Sequence, residues 1–192
     1  MTQQVLYIIA GANGSGKTSF ALDFVRERTI YFINADELAK LINPNDIKKA
    51  QMKAGKLFFD HLNRHLIEQK TFAIESTLSG RYLIKVIETA KKLDFKIHLI
   101  YLYLVDPTLN IMRVKSRVQS GGHDVPKNDI IRRFYRSKRL FWDTYRQLCD
   151  GWELFYNANT FQLIAVGQHQ DYEIFDNELM AEFLNGVKND RQ

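Results

Sequence analysis

The chain has 192 residues, 45% hydrophobic and 26% charged. That suits one globular domain with a full core and argues against intrinsic disorder. A single cysteine, Cys149, excludes an intramolecular disulfide. No apolar run approaches the length of a membrane span, and the first apolar run starts at Val5, so the expectation is a cytoplasmic protein without a cleaved leader.

In chain order, the pattern alternates strand and helix. Val5–Ala10 is an unbroken run of strand formers. It is followed by Gly11-Ala12-Asn13-Gly14-Ser15-Gly16-Lys17-Thr18, which fits G-x-x-x-x-G-K-[ST] at every fixed position, with Ser19 next. A helix is predicted over 17–27, a strand over 29–33, and helices over 36–42 and 47–69. A strand at 71–75 and a helix at 81–93 follow, then the almost wholly apolar strand 97–105, which suits a parallel sheet buried on both faces. Asp106-Pro107 pairs an N-cap residue with proline at the first helical position, opening a helix over 107–120 that Gly121-Gly122 stops. A long helix over 128–148 comes next, with 153–157 as a further candidate strand, a strand at 161–166 and a helix at 172–184. The last residues, about 187–192, read as a frayed tail. The alternation predicts a three-layer α/β domain spanning the chain.

The glycine-rich segment sits between a strand and a helix start. There, inward amides and the helix dipole hold phosphate oxygens. Lys17 would reach the β/γ-phosphates and the Thr18 hydroxyl would ligate Mg²⁺. In open α/β sheets ligands bind outside the carboxyl ends of strands. That rule also selects Asn34-Ala35-Asp36 and Glu75-Ser76-Thr77. Asp36 has two readings: the proton acceptor in phosphoryl transfer, or the N-cap of helix 36–42. Glu75 ends an apolar strand, where a carboxylate needs a partner, and fits a ligand or Mg²⁺-shell role.

The net charge of +5 is concentrated: between Arg113 and Arg146 ten basic residues face Asp124, Asp129 and Asp143. This surplus implies an anionic partner, either nucleotide phosphate or nucleic acid. Arginines on both sides of Gly121–Pro126 suit a helical lid over phosphates. In the helix after Asn128, Ile131, Phe134, Phe141, Tyr145 and Leu148 form the apolar stripe. Arg132, Arg136, Arg139 and Arg146 fall off it, so the aromatics are core rather than a base-stacking platform.

These pieces together resemble the zeta toxin family, in its branch of short chains. The resemblance runs through Ile9–Thr18, Asn34-Ala35-Asp36-Glu37, Ala73–Gly80, Tyr101–Leu104, Arg113–Val118, Gly121–Pro126 and Ile131–Phe134, in the family's order. It implies a P-loop kinase fold with five strands in the order 2-3-1-4-5 and a lid at about 113–136. It further implies transfer of the γ-phosphoryl of ATP, with Mg²⁺, to the sugar 3′-hydroxyl of UDP-N-acetylglucosamine, and an antitoxin protein that blocks the nucleotide site. By motif, Asp36 matches the catalytic base, and Glu75 and Thr77 match substrate-side residues, with His123 of the lid beside them. Arg117 and Arg133 are the expected clamps on the transferred phosphate. The branch often carries an acidic residue before the Asn that follows the fifth strand. This chain has Tyr156-Asn157, so no role is assigned to Asn157. Two rival readings are a nucleotide or polynucleotide-end kinase and a non-catalytic nucleotide-binding regulator.

Overall fold

A computed structural model describes residues 3–43, 46–122 and 124–189. Its centre is a sheet in the order β2-β3-β1-β4-β5-β6-β7. The strands are β1 (Val5–Ala10), β2 (Tyr31–Ile33), β3 (Phe72–Ser76), β4 (Lys96–Tyr103), β5 (Gly151–Tyr156), β6 (Gln162–Gln168) and β7 (Asp171–Ile174). The first five pair in parallel in the expected order. Two further strands, β6 and β7, continue the sheet antiparallel.

The sheet therefore has seven strands where five were expected. β7 occupies the start of the predicted helix 172–184. Asp171-Tyr172-Glu173-Ile174 alternates polar and apolar, a period-2 pattern, and His169 at φ 52° makes the tight turn back from β6. The helix itself, α8, runs Asn177–Asn189. Asp176 precedes it, accepting from the Leu179 amide at 3.0 Å.

Alternation along β1 divides the core. Leu6, Ile8 and Ala10 pack toward α3 (Ile47–Ile67), α4 (Tyr82–Lys92), α6 (Lys127–Leu140) and α8, while Ile9 faces Ala21 and Phe24 of α1 (Lys17–Arg28). This is the three-layer arrangement. After α6 the chain passes through a π-helical turn, Phe141–Tyr145, into α7 (Arg146–Leu148). That extra residue per turn rotates the helix face, so Arg146, which falls off the predicted apolar stripe, is nonetheless buried and lies 3.9 Å over the Trp142 ring. Among the described residues, no helix is long and apolar enough to cross a membrane.

Register positions the site. Ala10 aligns with Ser76 on one side and with Tyr101 on the other, and Ile33 aligns with Ile74. The segments following β1, β2 and β3 therefore emerge at one end of the sheet. β5 joins them, with Tyr156 opposite Tyr103.

Candidate active site

The loop from Gly11 to Thr18 leaves β1 and turns into α1. Gly14 (φ 80°) and Gly16 (φ 92°) occupy left-handed backbone. A Cβ at Gly14 would lie 2.5 Å from the Asn110 carbonyl oxygen, and one at Gly16 would lie 2.1 Å from Asn157 Nδ2. Both positions thus need glycine for conformation and for close approach. Among the described residues no side chain caps α1, and its first turn holds no acidic residue, so its leading amides are available to an anion. Ser15 Oγ is buried with no hydrogen-bond partner among the described residues. Free amides, an orphan hydroxyl and a lysine form a donor set that fits phosphate oxygens.

Lys17 Nζ is buried. It donates to the Ala12 carbonyl at 3.0 Å and lies 3.8 Å from Glu75 Oε1. Burial lowers the pKa of Lys17, with Arg117 and Arg133 adding to the effect and Glu75 and Asp36 opposing it. Burial raises that of Glu75, against the pull of Lys17 and the Thr18 hydroxyl. Each partner is pushed toward its neutral form because the low-dielectric surroundings penalise charge. A bound polyanion beside Lys17 would reverse that pressure on the ammonium.

Glu75 is held by the sheet register. Its Oε2 accepts from Thr18 Oγ1 at 2.9 Å and from Asn34 Nδ2 at 2.8 Å. Asn34 also caps α2 (Ala35–Ile42): its Oδ1 accepts from the Asp36 amide at 2.8 Å and from the Glu37 amide at 3.3 Å. The capping role open to Asp36 therefore belongs to Asn34, and the Asp36 carboxylate is left for the cleft. The signal was present, since Asn34 followed three residues later by Glu37 has capping-box spacing.

Two cavities meet at Asp36. A cleft of about 700 Å³ is lined by the phosphate loop with Lys17, Thr18 and Ser19, by Asp36, Glu75 and Thr77, by Arg113 and Arg117, and by Asn157–Phe161 without Ala158. A smaller pocket of about 300 Å³ shares Asn13, Asp36 and Thr77 with it and adds Gln51, Asp124, Val125, Pro126, Asp129 and Arg133. Thr77 Oγ1 is hydrogen-bonded to Ser79 Oγ at 2.9 Å.

The predicted lid consists of α5 (Pro107–Gln119) and α6. Arg117 is exposed at the cleft mouth. Arg133 Nη1 donates to Asn13 Oδ1 at 3.1 Å, tying α6 to the phosphate loop. Arg113 is engaged differently: its guanidinium donates to the Ala158 carbonyl. His123 lies outside the described residues.

Two buried asparagines complete the loop. Asn110 Nδ2 donates to the Asn13 carbonyl at 2.7 Å, and Asn157 Nδ2 to the Ser15 carbonyl at 2.9 Å. Asn157, to which no role was assigned, is the residue immediately after β5, where the carboxyl-end rule could have found it. Asn110 sits within α5 and has no such signal.

Strand order and a phosphate loop after β1 define the class: a P-loop α/β fold of the kinase type. The chain belongs to the zeta toxin family, whose model, described as Zeta toxin, matches residues 2–179. It is 36% identical over 129 residues to an uncharacterized protein of Haemophilus influenzae, an alignment covering 65% of this chain and 88% of that one. Among solved structures it is similar to the AvrRxo1-ORF1:-ORF2 crystal structure with ATP (TM-score 0.73, 15% identity, 94% of this chain). The match takes in 63% of that chain, so this protein spans less than two thirds of that neighbour's length. It is also similar to the PezAT chromosomal toxin–antitoxin system of Streptococcus pneumoniae (TM-score 0.66, 11% identity, 98% of this chain and 88% of that one). At these identities the structural likeness carries the fold.

Proposed function

We propose that this protein transfers the γ-phosphoryl group of ATP to a hydroxyl of a small molecule, with Asp36 accepting the hydroxyl proton. The observation that carries the reading is that Asp36 lines two cavities. The larger is lined by the phosphate loop, and the smaller shares Asn13, Asp36 and Thr77 with it. Donor and acceptor would meet at that carboxylate. Membership of the zeta toxin family and a structural neighbour crystallised with ATP support the donor.

In this reading Lys17 and the amides of the phosphate loop orient the β/γ-phosphates. Thr18, with Glu75 bonded to its hydroxyl, would hold Mg²⁺, which when bound neutralises charge on the phosphate oxygens. Arg117 and Arg133 would face the transferred group from the lid. As the acceptor oxygen bonds to the γ-phosphorus, the bond to the ADP oxygen breaks and the hydroxyl proton passes to Asp36. Most of the rate enhancement would come from positioning and fixed charge. The family resemblance favours the sugar 3′-hydroxyl of UDP-N-acetylglucosamine as acceptor. The toxin–antitoxin system and the two-component complex among the neighbours favour a protein partner for this chain too.

The test is transfer from labelled ATP to a panel of UDP-sugars, nucleotides and 5′-hydroxyl oligonucleotides, using wild type, Lys17→Ala and Asp36→Asn. Labelling of a UDP-sugar that both variants lose is the expected result. Full-rate transfer by Asp36→Asn would exclude Asp36 as the base. Labelling of oligonucleotides alone would move the acceptor to nucleic acid.

A further inference from the structure

The cleft is lined by more than the phosphate loop. Asn159, Thr160 and Phe161, in the loop between β5 and β6, form part of its wall. Phe161 leaves 39% of its surface open. It is nonetheless supported from behind: Phe20 meets it edge-on at 5.2 Å, and Phe20 packs in turn on Phe155 and Phe24. Phe161 Cε1 lies 3.6 Å from where a Cβ on Gly16 would stand, so the ring begins one residue away from Lys17. The loop carrying it is pinned twice, by Asn157 to Ser15 and by the Arg113 guanidinium to Ala158.

We propose that Phe161 is the platform on which the base of the donor nucleotide stacks, and that Asn159 and Thr160 beside it read the base only weakly, so that ATP and GTP both bind. The inference rests on the cleft being the nucleotide site. An open aromatic face in the wall of a phosphate-binding cleft offers a base a flat, apolar surface. Stacking of this kind tolerates base identity, because every base has a π-face. Discriminating between purines needs fixed hydrogen-bonding groups at the base edge. The carboxylates lining the cleft, Asp36 and Glu75, stand at the phosphate end beside Lys17. At the base end the side chains are an exposed amide and an exposed hydroxyl. An amide can rotate to present either a donor or an acceptor, so it accommodates the adenine edge and the guanine edge alike.

Inorganic tripolyphosphate separates the base from the phosphates. Dissociation constants for ATP, GTP and tripolyphosphate are measured on wild type, Phe161→Ala, Phe161→Leu, Phe161→Tyr and Lys17→Ala. Phe161→Ala is expected to weaken ATP and GTP by about ten- to hundredfold while tripolyphosphate stays within about twofold. Phe161→Leu, which keeps apolar packing over Phe20 without a flat ring, should also lose nucleotide and keep tripolyphosphate. Phe161→Tyr should restore nucleotide binding, and wild-type ATP and GTP affinities should agree within about tenfold. The proposal is overturned if both Phe161→Ala and Phe161→Leu bind ATP like wild type. It is equally overturned if Phe161→Leu loses tripolyphosphate as severely as ATP, or if GTP binds more than about a hundredfold more weakly than ATP. Failure of the underlying site reading looks different: tripolyphosphate and ATP would then bind equally well with and without Lys17.

Discussion

Replacing Lys138 with methionine should stabilise this protein and flatten its pH dependence. Lys138 lies on α6 and is 1% exposed. Its Nζ stands 4.2 Å from the ring centre of Phe134, 5.0 Å from that of Tyr103 and 5.6 Å from that of Phe183, without a hydrogen-bond partner among the described residues. Burial pushes its pKa down to about 7, with Glu182 opposing. In the unfolded chain a lysine holds its proton to about pH 10.4. Between those values the unfolded chain binds one more proton than the folded one, so stability rises with pH at about 1.4 kcal/mol per pH unit. Below about pH 7 both states are protonated and the whole penalty, on the order of 4–5 kcal/mol, is present. The ring faces return about 1–2 kcal/mol to the charged form. Methionine keeps the length and removes the charge. Urea unfolding at pH 6.5 should therefore show Lys138→Met more stable by about 3 kcal/mol, and Tm should rise by roughly 6–12 °C. The two proteins should converge as pH approaches about 10. A variant less stable at pH 6.5, or a difference that does not change with pH, would refute the reasoning.

Other substitutions test the site's construction. Asn157→Ala removes the buried bond to Ser15 and should lower unfolding free energy by about 1–3 kcal/mol while weakening tripolyphosphate binding; unchanged values in denaturant titration and calorimetry would count against it. Gly16→Ala should abolish nucleotide binding, and adding Asn157→Ala should not rescue it, because the backbone at φ 92° stays strained after the clash is gone; recovery in the double variant would assign the defect to the clash alone. Glu75→Gln relieves a buried carboxylate but keeps an acceptor for Thr18, so thermal stability at neutral pH should hold or rise while phosphoryl transfer falls at least about tenfold. Cys149 is fully buried, and burial raises its pKa, so a thiol reagent should label it only after denaturant is added; rapid labelling of the native protein would contradict this.

What could be read beforehand followed from patterns with local causes. The phosphate loop, the apolar parallel strands and the Asp106-Pro107 helix start are each decided by neighbouring residues, and the structure has them in place. Asp36 was ambiguous because capping and proton acceptance both favour a carboxylate at a helix start. Only the bonds of Asn34 assign the capping role, and they assign it to Asn34. Burial of Lys138 and Arg146 was not legible, since it depends on the π-helical turn and on α8 and β7 packing against that face. The aromatic wall of the cleft was missed for a similar reason. Phe161 follows β5 by a short loop, and its relation to Gly16 exists only after β4 and β5 have paired.

The phosphate loop is bonded to four distant parts of the chain. Gly11 donates to Ser76, and Asn110, Arg133 and Asn157 each donate to Asn13 or Ser15. Residues 11–18 precede all four partners in the chain and are made before them, yet the set of contacts that shapes the loop is complete only when residue 157 has been made and β5 has docked. A nascent chain would carry the whole motif and still lack a site. The capacity to hold phosphate would therefore appear only late in synthesis, long after the motif itself.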